Sequence, residues 1–407
     1  MTKRYLNIAI FHLAFFYSGG GEKLVLQEID ELKKLGHKVV CFVPTLDESM
    51  CYPDIIKDYP IKVFFPKLSK LFEKSETLQI LSTCILFPLI VSRFKKYDVI
   101  IGANQPGPWL AYLVKKFYRK PYVVYLSQPT RILHPRRIDL ENGFWVKRKS
   151  VGLPLLVKVF KRIFIFADNI SIRSADCVLA DGEYMYKVLK NVYGIEPVIC
   201  PACVNVTKLS KIDRFSGLLE INGYNIEKPY ILVTNRHFPQ KRFEYAIKAM
   251  PGILKVNPHA SLVITGNPTL YTKRLIELSL KLSIENKIIL TGYVSEKDLI
   301  SLYRNAGVYV YTSPEEDFGL GVIESMAAGV PVVAWNKAGP SKIVISGETG
   351  YLVKSNDQTS FTKRIIELLI DKKENFKMGE KAFKQANENY SCQKHIKIIE
   401  KEIYRLV

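Results

Sequence analysis

Two carboxylates with seven residues between them, Glu316 and Glu324, bracket the run Glu316-Asp317-Phe318-Gly319-Leu320-Gly321-Val322-Ile323-Glu324. Upstream, Arg236 and Lys241 stand in the stretch Asn235-Arg236-His237-Phe238-Pro239-Gln240-Lys241-Arg242. Two cations at that spacing in a loop can hold a diphosphate from two sides, and Pro239 keeps the loop from becoming helix. The acids need positioning elements, and the flanking residues supply them. Val308-Tyr309-Val310-Tyr311 reads as a buried strand, Ser313 and Pro314 mark a turn, and the two glycines Gly319 and Gly321 open a helix through Glu324-Ser325-Met326-Ala327-Ala328. Gly329 stands where its C-cap is expected, and Pro331–Ala334 is the next strand. In an open α/β sheet this layout holds a ligand at the carboxyl ends of the strands. The unpaired N–H groups of the helix start suit phosphate or sugar oxygens. Gly319 and Gly321 are expected to let the ligand approach the backbone, having no Cβ. From these residues alone the expectation is a nucleotide or phosphate pocket.

The whole run closely resembles the signature of the retaining glycosyltransferases of family 4, which have the GT-B fold. There, two glutamates separated by seven residues precede a helix rich in Met, Ala and Gly and a Pro-Val strand. Met326, Ala327, Gly329, Pro331 and Val332 fall where the family has them. Arg236 and Lys241 match the family's Arg-x4-Lys site, which implies that they stabilise the leaving diphosphate. Gly292-Tyr293-Val294 matches the segment where relatives bind the nucleotide base. Gly19-Gly20-Gly21-Glu22 resembles the Gly-Gly-Ala-Glu loop that approaches the donor diphosphate and sugar.

Composition agrees with a two-domain enzyme. At 407 residues the chain can hold two cores, and 48% hydrophobic content points to a folded, soluble protein. Seven cysteines, odd in number and scattered, suggest reduced thiols in the cytoplasm. Cys200-Pro201-Ala202-Cys203 lacks a second pair at zinc-ribbon spacing, so both are expected as small buried hydrophobes and no metal is assigned. The net charge of +20 implies an anionic partner. From Leu113 to Phe166 thirteen Lys or Arg face two acids, Asp139 and Glu141, and Val151–Phe166 mixes bulky apolar residues with cations. That mixture suits an anionic membrane surface better than base reading, so peripheral attachment at the cytoplasmic face is expected and nucleic acid is not. Ile80–Val91, which contains Pro88, is too short to span a bilayer and is expected as a buried helix.

Taken in order, Leu6–Phe11 is a strand, Gly19–Gly21 a loop, Glu22–Leu35 a helix and Lys38–Val43 a strand, a βαβ unit. Tyr97–Ile101, Pro121–Tyr125, Asp176–Ala180 and Val198–Val204 read as further strands. Leu126-Ser127-Gln128-Pro129-Thr130-Arg131 resembles an acceptor-side loop whose relatives carry Tyr-x-His-x-Pro-x-Arg. Tyr125, Pro129 and Arg131 match, but Ser127 holds the histidine position. A serine has no pKa suited to accepting a proton near neutrality, so no histidine base carries over. His12 and His134 are the nearest others, and both read as packing or surface residues. The domains are expected at 1–204 and 229–387, with 205–228 as linker and a terminal helix, about 388–407, returning to the first. The resemblance implies an α/β, GT-B fold of two Rossmann-like domains with parallel sheets facing a central cleft.

The implied reaction is retaining transfer of a hexose, mannose first, from a GDP- or UDP-linked sugar to a saccharide or lipid-linked saccharide in surface polysaccharide or glycolipid synthesis. Breaking an anomeric C–O bond leaves a diphosphate with added negative charge, so catalysis should concentrate there. Arg236, Lys241 and the N–H groups of Phe318, Gly319, Leu320 and Gly321 would supply positive charge without a cofactor or metal. By family analogy Glu324 takes the ribose hydroxyls and Glu316 the donor sugar. Lys342 stands where the family usually has Glu. A GT-B epimerase or phosphorylase would leave the Glu316–Glu324 run unexplained. A basic nucleic-acid binder would leave the diphosphate site unused.

Overall fold

The computed structural model describes residues 4–73, 75–141, 159–210 and 217–407. The chain divides into two compact units, Met1–Ala202 with Cys392–Val407, and Cys203–Ser391. Each is built on one parallel sheet, as the α/β expectation requires.

The first unit's strands are β1 (Asn7–His12), β2 (Lys38–Val43), β3 (Ile61–Val63), β4 (Val99–Ala103), β5 (Tyr122–Leu126), β6 (Cys177–Ala180) and β7 (Val198–Ile199). They lie in the order β3-β2-β1-β4-β5-β6-β7. β1, β4 and β5 are almost wholly buried, which is why they read as continuous apolar runs rather than alternating ones. Phe11, Phe64, Phe87 and Phe94 pack ring to ring on one face, with Phe11 and Phe94 centroids 4.8 Å apart. The expected strand Val198–Val204 joins the sheet only through its first two residues, and Val204 makes an isolated bridge to Ser391. Helix α1 (Gly20–Lys34) starts two residues earlier than expected, so Gly20 and Gly21 are its first turn rather than loop. The helix Cys392–Tyr404 belongs to this unit and packs beside α1.

Two short helices, α2 (Pro66–Leu71) and α3 (Glu76–Leu86), connect β3 toward β4. Here the expectation of a buried helix in Ile80–Val91 is met only in part: Phe87, Ile90 and Val91 join the core, but the helix ends at Leu86 and its apolar residues are not all inside. α3 turns Gln79 and Thr83 inward and leaves Ile85 73% exposed, with Leu89 just beyond it 76% exposed. The inward donors are satisfied locally, Gln79 Nε2 donating to the Ser69 carbonyl (2.7 Å) and Thr83 to the Gln79 carbonyl (2.8 Å), while Gln79 Oε1 is buried without a hydrogen bond. Of the basic segment Leu113–Phe166, residues 142–158 lie outside the described residues.

The second unit's sheet comprises β10 (Tyr230–Thr234), β11 (Ser261–Thr265), β12 (Ile288–Gly292), β13 (Val308–Tyr311), β14 (Val332–Trp335) and β15 (Gly350–Val353). Their order is β12-β11-β10-β13-β14-β15. The segment expected as linker holds a helical turn, Val206–Ser210, and an antiparallel hairpin, β8 (Leu219–Ile221) with β9 (Tyr224–Ile226). Its residues 211–216 lie outside the described residues. Trp335 is buried against Phe361 and donates from its ring nitrogen to the Thr312 carbonyl (2.8 Å), tying the strand after the signature helix to the loop before it.

No helix among the described residues is long and apolar enough to cross a membrane. No group of three or more His, Cys, Asp or Glu among them could hold a metal ion. Cys200 and Cys203 are both buried thiols.

Candidate active site

In the second sheet the winding direction reverses between β10 and β13, its two central neighbours. Loops leaving adjacent strands on opposite sides of such a point diverge and open a crevice at their carboxyl ends. The loop after β10 carries Arg236 and Lys241; the loop after β13 carries Glu316, Phe318 and Gly319. Topology alone therefore brings these sequence-distant residues together.

Lys241 Nζ lies 2.6 Å from Glu316 Oε2, both side chains largely buried. The Thr312 hydroxyl donates to the Lys241 carbonyl (2.7 Å), fixing the first loop to the second. Arg236 places its guanidinium 5.1 Å from the Phe238 ring centre. Gly266, with φ of +123°, crosses beneath the loop: a Cβ there would lie 1.9 Å from the Asn235 carbonyl. Gly339 performs the same service for the second loop. It donates its N–H to the Glu316 carbonyl (2.8 Å), and a Cβ would sit 2.3 Å from the Phe318 carbonyl.

The signature helix spans Leu320–Ala327, with Gly319 as N-cap at φ of +108°, a conformation that strains any residue with a Cβ. Gly321 is glycine for another reason than ligand approach. A Cβ at that position would lie 2.1 Å from the Tyr309 hydroxyl, so the space belongs to the protein's own tyrosine.

Glu324, one turn into that helix, is 7% exposed. The Tyr303 hydroxyl donates to its Oε2 (2.8 Å). Thr234 Oγ1 bridges the Tyr303 and Tyr309 hydroxyls at 2.7 and 2.9 Å. Burial, reinforced by Glu324, raises the Tyr303 pKa well above that of a free phenol, so the hydroxyl keeps its proton and donates. Sequence reasoning missed this network. Its one visible trace is the pair of tyrosines beside the signature strand, Tyr303 and Tyr309, which alternation alone assigns to the core.

Gly292 ends β12 at φ of +70°, followed by Tyr293 and the buried Val294. Asn222, in the hairpin turn, donates to the Thr291 and Tyr293 carbonyls (3.0 and 2.7 Å) and so holds this segment in place. Lys342 is exposed on the short helix Pro340–Ile343.

The first sheet reverses its winding between β1 and β4. Gly19, the N-cap of α1, follows β1, and Ser127, Gln128 and Arg131 follow β5, all at the carboxyl edge. A Cβ on Gly19 would lie 2.4 Å from the Glu22 carboxylate, while Gly21 faces open space. The Ser127 N–H donates to Asn104 Oδ1 (3.2 Å), and Gln128 is exposed. Arg131 is 9% exposed and reaches the His134 carbonyl (3.4 Å), so it braces its own loop. His134 Nε2 stands 3.5 Å from the buried Asp168. His12 is buried against Phe15, and burial lowers its pKa to about 4, which leaves it a neutral packing residue.

Comparison with known proteins bears on what these loops belong to. The family described as Glycosyltransferase Family 4 matches residues 18–208, and the one described as Glycosyl transferases group 1 matches residues 219–385. The chain is 24% identical to an alpha-1,3/1,6-mannosyltransferase ALG2 of Dictyostelium discoideum over 95% of each chain. It is 31% identical to a probable sucrose-phosphate synthase of Thermosipho melanesiensis, a match spanning 45% of this chain and only 44% of that one. Anabaena Alr3699/HepE, solved in complex with UDP, superposes with a TM-score of 0.75 at 15% identity over 98% of this chain and 100% of the other. A sucrose-phosphate synthase of Thermosynechococcus elongatus gives 0.73 at 18% identity over 98% of each. At those identities the superpositions establish the fold, GT-B, while the two sequence families between them account for nearly the whole chain. The protein is a glycosyltransferase of the group 1, family 4 type.

Proposed function

We propose that the chain transfers a hexose from a nucleoside diphosphate sugar to a saccharide or lipid-linked saccharide, with retention of configuration. The observation that carries this reading is the contact of Lys241 with Glu316 at one switch point, with Arg236 on the same loop as Lys241. The leaving diphosphate gains negative charge as the anomeric bond breaks. A guanidinium, an ammonium and backbone N–H groups around it lower that barrier without help from a metal ion. Glu324, oriented by Tyr303, takes the ribose hydroxyls. Glu316 attends the sugar, and the departing phosphate itself receives the acceptor's proton, which makes the serine at position 127 acceptable.

The mannosyltransferase that matches over 95% of both chains supports mannose as the sugar, and we take GDP as its carrier. The neighbours solved with UDP and UDP-glucose put UDP-sugars second. A screen of nucleotide sugars for thermal stabilisation ranks the donors, since a ligand that binds only the folded state raises the melting temperature by linkage. The decisive experiment is the Arg236→Ala/Lys241→Ala double variant, assayed for transfer after its fold is confirmed by circular dichroism. Turnover should drop by about a thousandfold or more. Transfer at the wild-type rate would end the proposal.

A further inference from the structure

α3 is an inverted amphipathic helix. Its polar residues Gln79 and Thr83 are buried, at 4% and 2% exposure, while Leu78, Ile85 and the following Leu89 stand in solvent. Leu78 and Ile85 stand seven positions apart, two turns of α3, and so line one side of it, with Leu89 exposed in the 3-10 turn that follows. Leu71, at the end of α2, adds a fourth exposed apolar side chain at 73%. Gln79 locks this orientation, because its amide is already committed to Ser69 on α2 at 2.7 Å. Rolling the helix to hide the leucines would strip that buried amide of its partner.

Something must cover this face, and its charge says what. Lys62, Lys67, Lys70, Arg93, Lys95 and Lys96 are exposed in the segments flanking it, against Glu73 and Glu76. None of the six cations makes an ion pair with an acid among the described residues. A second copy of the chain would bring like charges together, and a basic or neutral protein face would leave six cations unmatched. An apolar stripe set between unpaired cations fits the boundary of an anionic bilayer, where aliphatic side chains enter the acyl region and ammonium groups meet phosphates. We propose that α2 and α3 form a membrane-docking face that seats the first unit on an anionic lipid surface.

This differs from the basic stretch Val151–Phe166 that composition singles out, and it assigns docking to a helix that composition marks as core. It leans on the proposed function only through the lipid-linked class of acceptor. The test reads binding without turnover, so the two readings fail separately.

The full chain is sedimented with vesicles of phosphatidylcholine, with and without phosphatidylglycerol, beside the variants Ile85→Asn/Leu89→Asn and Lys67→Glu/Lys70→Glu. These side chains are exposed, so melting temperatures should stay near wild type. Wild type should bind only the anionic vesicles and release in high salt. Each variant should bind at least about tenfold more weakly, the loss expected from removing one or two inserted aliphatic side chains or surface cations. Absence of wild-type binding, or equal binding by both variants, overturns the proposal. So does a concentration-dependent dimer in sedimentation velocity that the Ile85→Asn/Leu89→Asn variant abolishes, since a second copy would then own the face. A spin label at position 85 that is shielded in the lipid-free monomer would mean that the chain covers the face itself, and overturns it too.

Discussion

Lys241 and Glu316, the cation proposed for the diphosphate and the acid proposed for the sugar, hold each other at 2.6 Å. A donor must therefore compete with Glu316 for the ammonium. Glu316→Gln removes the competitor while leaving a side chain of the same shape. Nucleoside diphosphate should bind the variant as tightly as wild type or up to about tenfold more tightly, whereas turnover falls by about a hundredfold or more. Titration calorimetry beside a transfer assay separates the two. A parallel loss of affinity and turnover would show that the acid merely props the lysine.

Tyr303 offers a second handle. Tyr303→Phe leaves Glu324 nearly buried with one donor fewer, a penalty of about 1–3 kcal/mol. If Glu324 serves the ribose, the KM for donor rises about tenfold or more while kcat changes little. An unchanged KM with a fallen kcat would place Glu324 nearer the bond that breaks.

Gly321 and the Tyr309 hydroxyl claim the same space. Gly321→Ala alone should destabilise the second unit by about 1–3 kcal/mol through overpacking. In a Tyr309→Phe background the worst contact goes, leaving the ring Cζ and Thr234 Oγ1 each 3.1 Å from the new Cβ, so most of the loss should be recovered. Denaturant melts of the four proteins in this cycle decide it, and simple additivity would refute the steric account.

His395 should leave a mark on the pH dependence of stability. Its Nε2 faces Glu28 Oε1 at 3.2 Å and its Nδ1 faces the Pro201 carbonyl at 2.7 Å, with Cys200 Sγ 3.4 Å away. Burial by itself would favour the neutral ring, but Cys200 and Glu28 outweigh it and raise the pKa well above the ordinary value. The folded state then holds a proton that the unfolded state releases. The stabilisation is complete below about pH 6.5 and fades as pH climbs through the raised value. His12 and His237, lowered to about 4 by burial, act oppositely and weaken the fold as pH drops from about 6.5 toward that value. Wild type should therefore melt above His395→Gln by a margin that shrinks with rising pH. A margin independent of pH would contradict the charged ring.

Much of the site was legible in the sequence, because a loop's glycines and its charged residues are local signals. Arg236, Lys241, Glu316 and Glu324 sit where strand endings and a helix start announced them. What escaped depends on the third dimension. Tyr303 and Glu324 are on different helices, and their bond follows from how those helices pack. Gly321 looked like an opening for a ligand because a sequence does not show which neighbour fills the missing Cβ. Asn222 sat in a stretch without a period, although it holds the Gly292 segment. The apolar run in α3 read as core since hydropathy counts leucines without saying which way they face; one amide, on Gln79, decided the direction.

The helix Cys392–Tyr404 closes over α1 although nearly the entire second unit is synthesised before it. During translation Glu28 and Cys200 lack their histidine until His395 emerges. The later-made unit, continuous in sequence, has no such delay and can mature first. A protein lacking Cys392–Tyr404 should therefore lose stability in its first unit rather than its second.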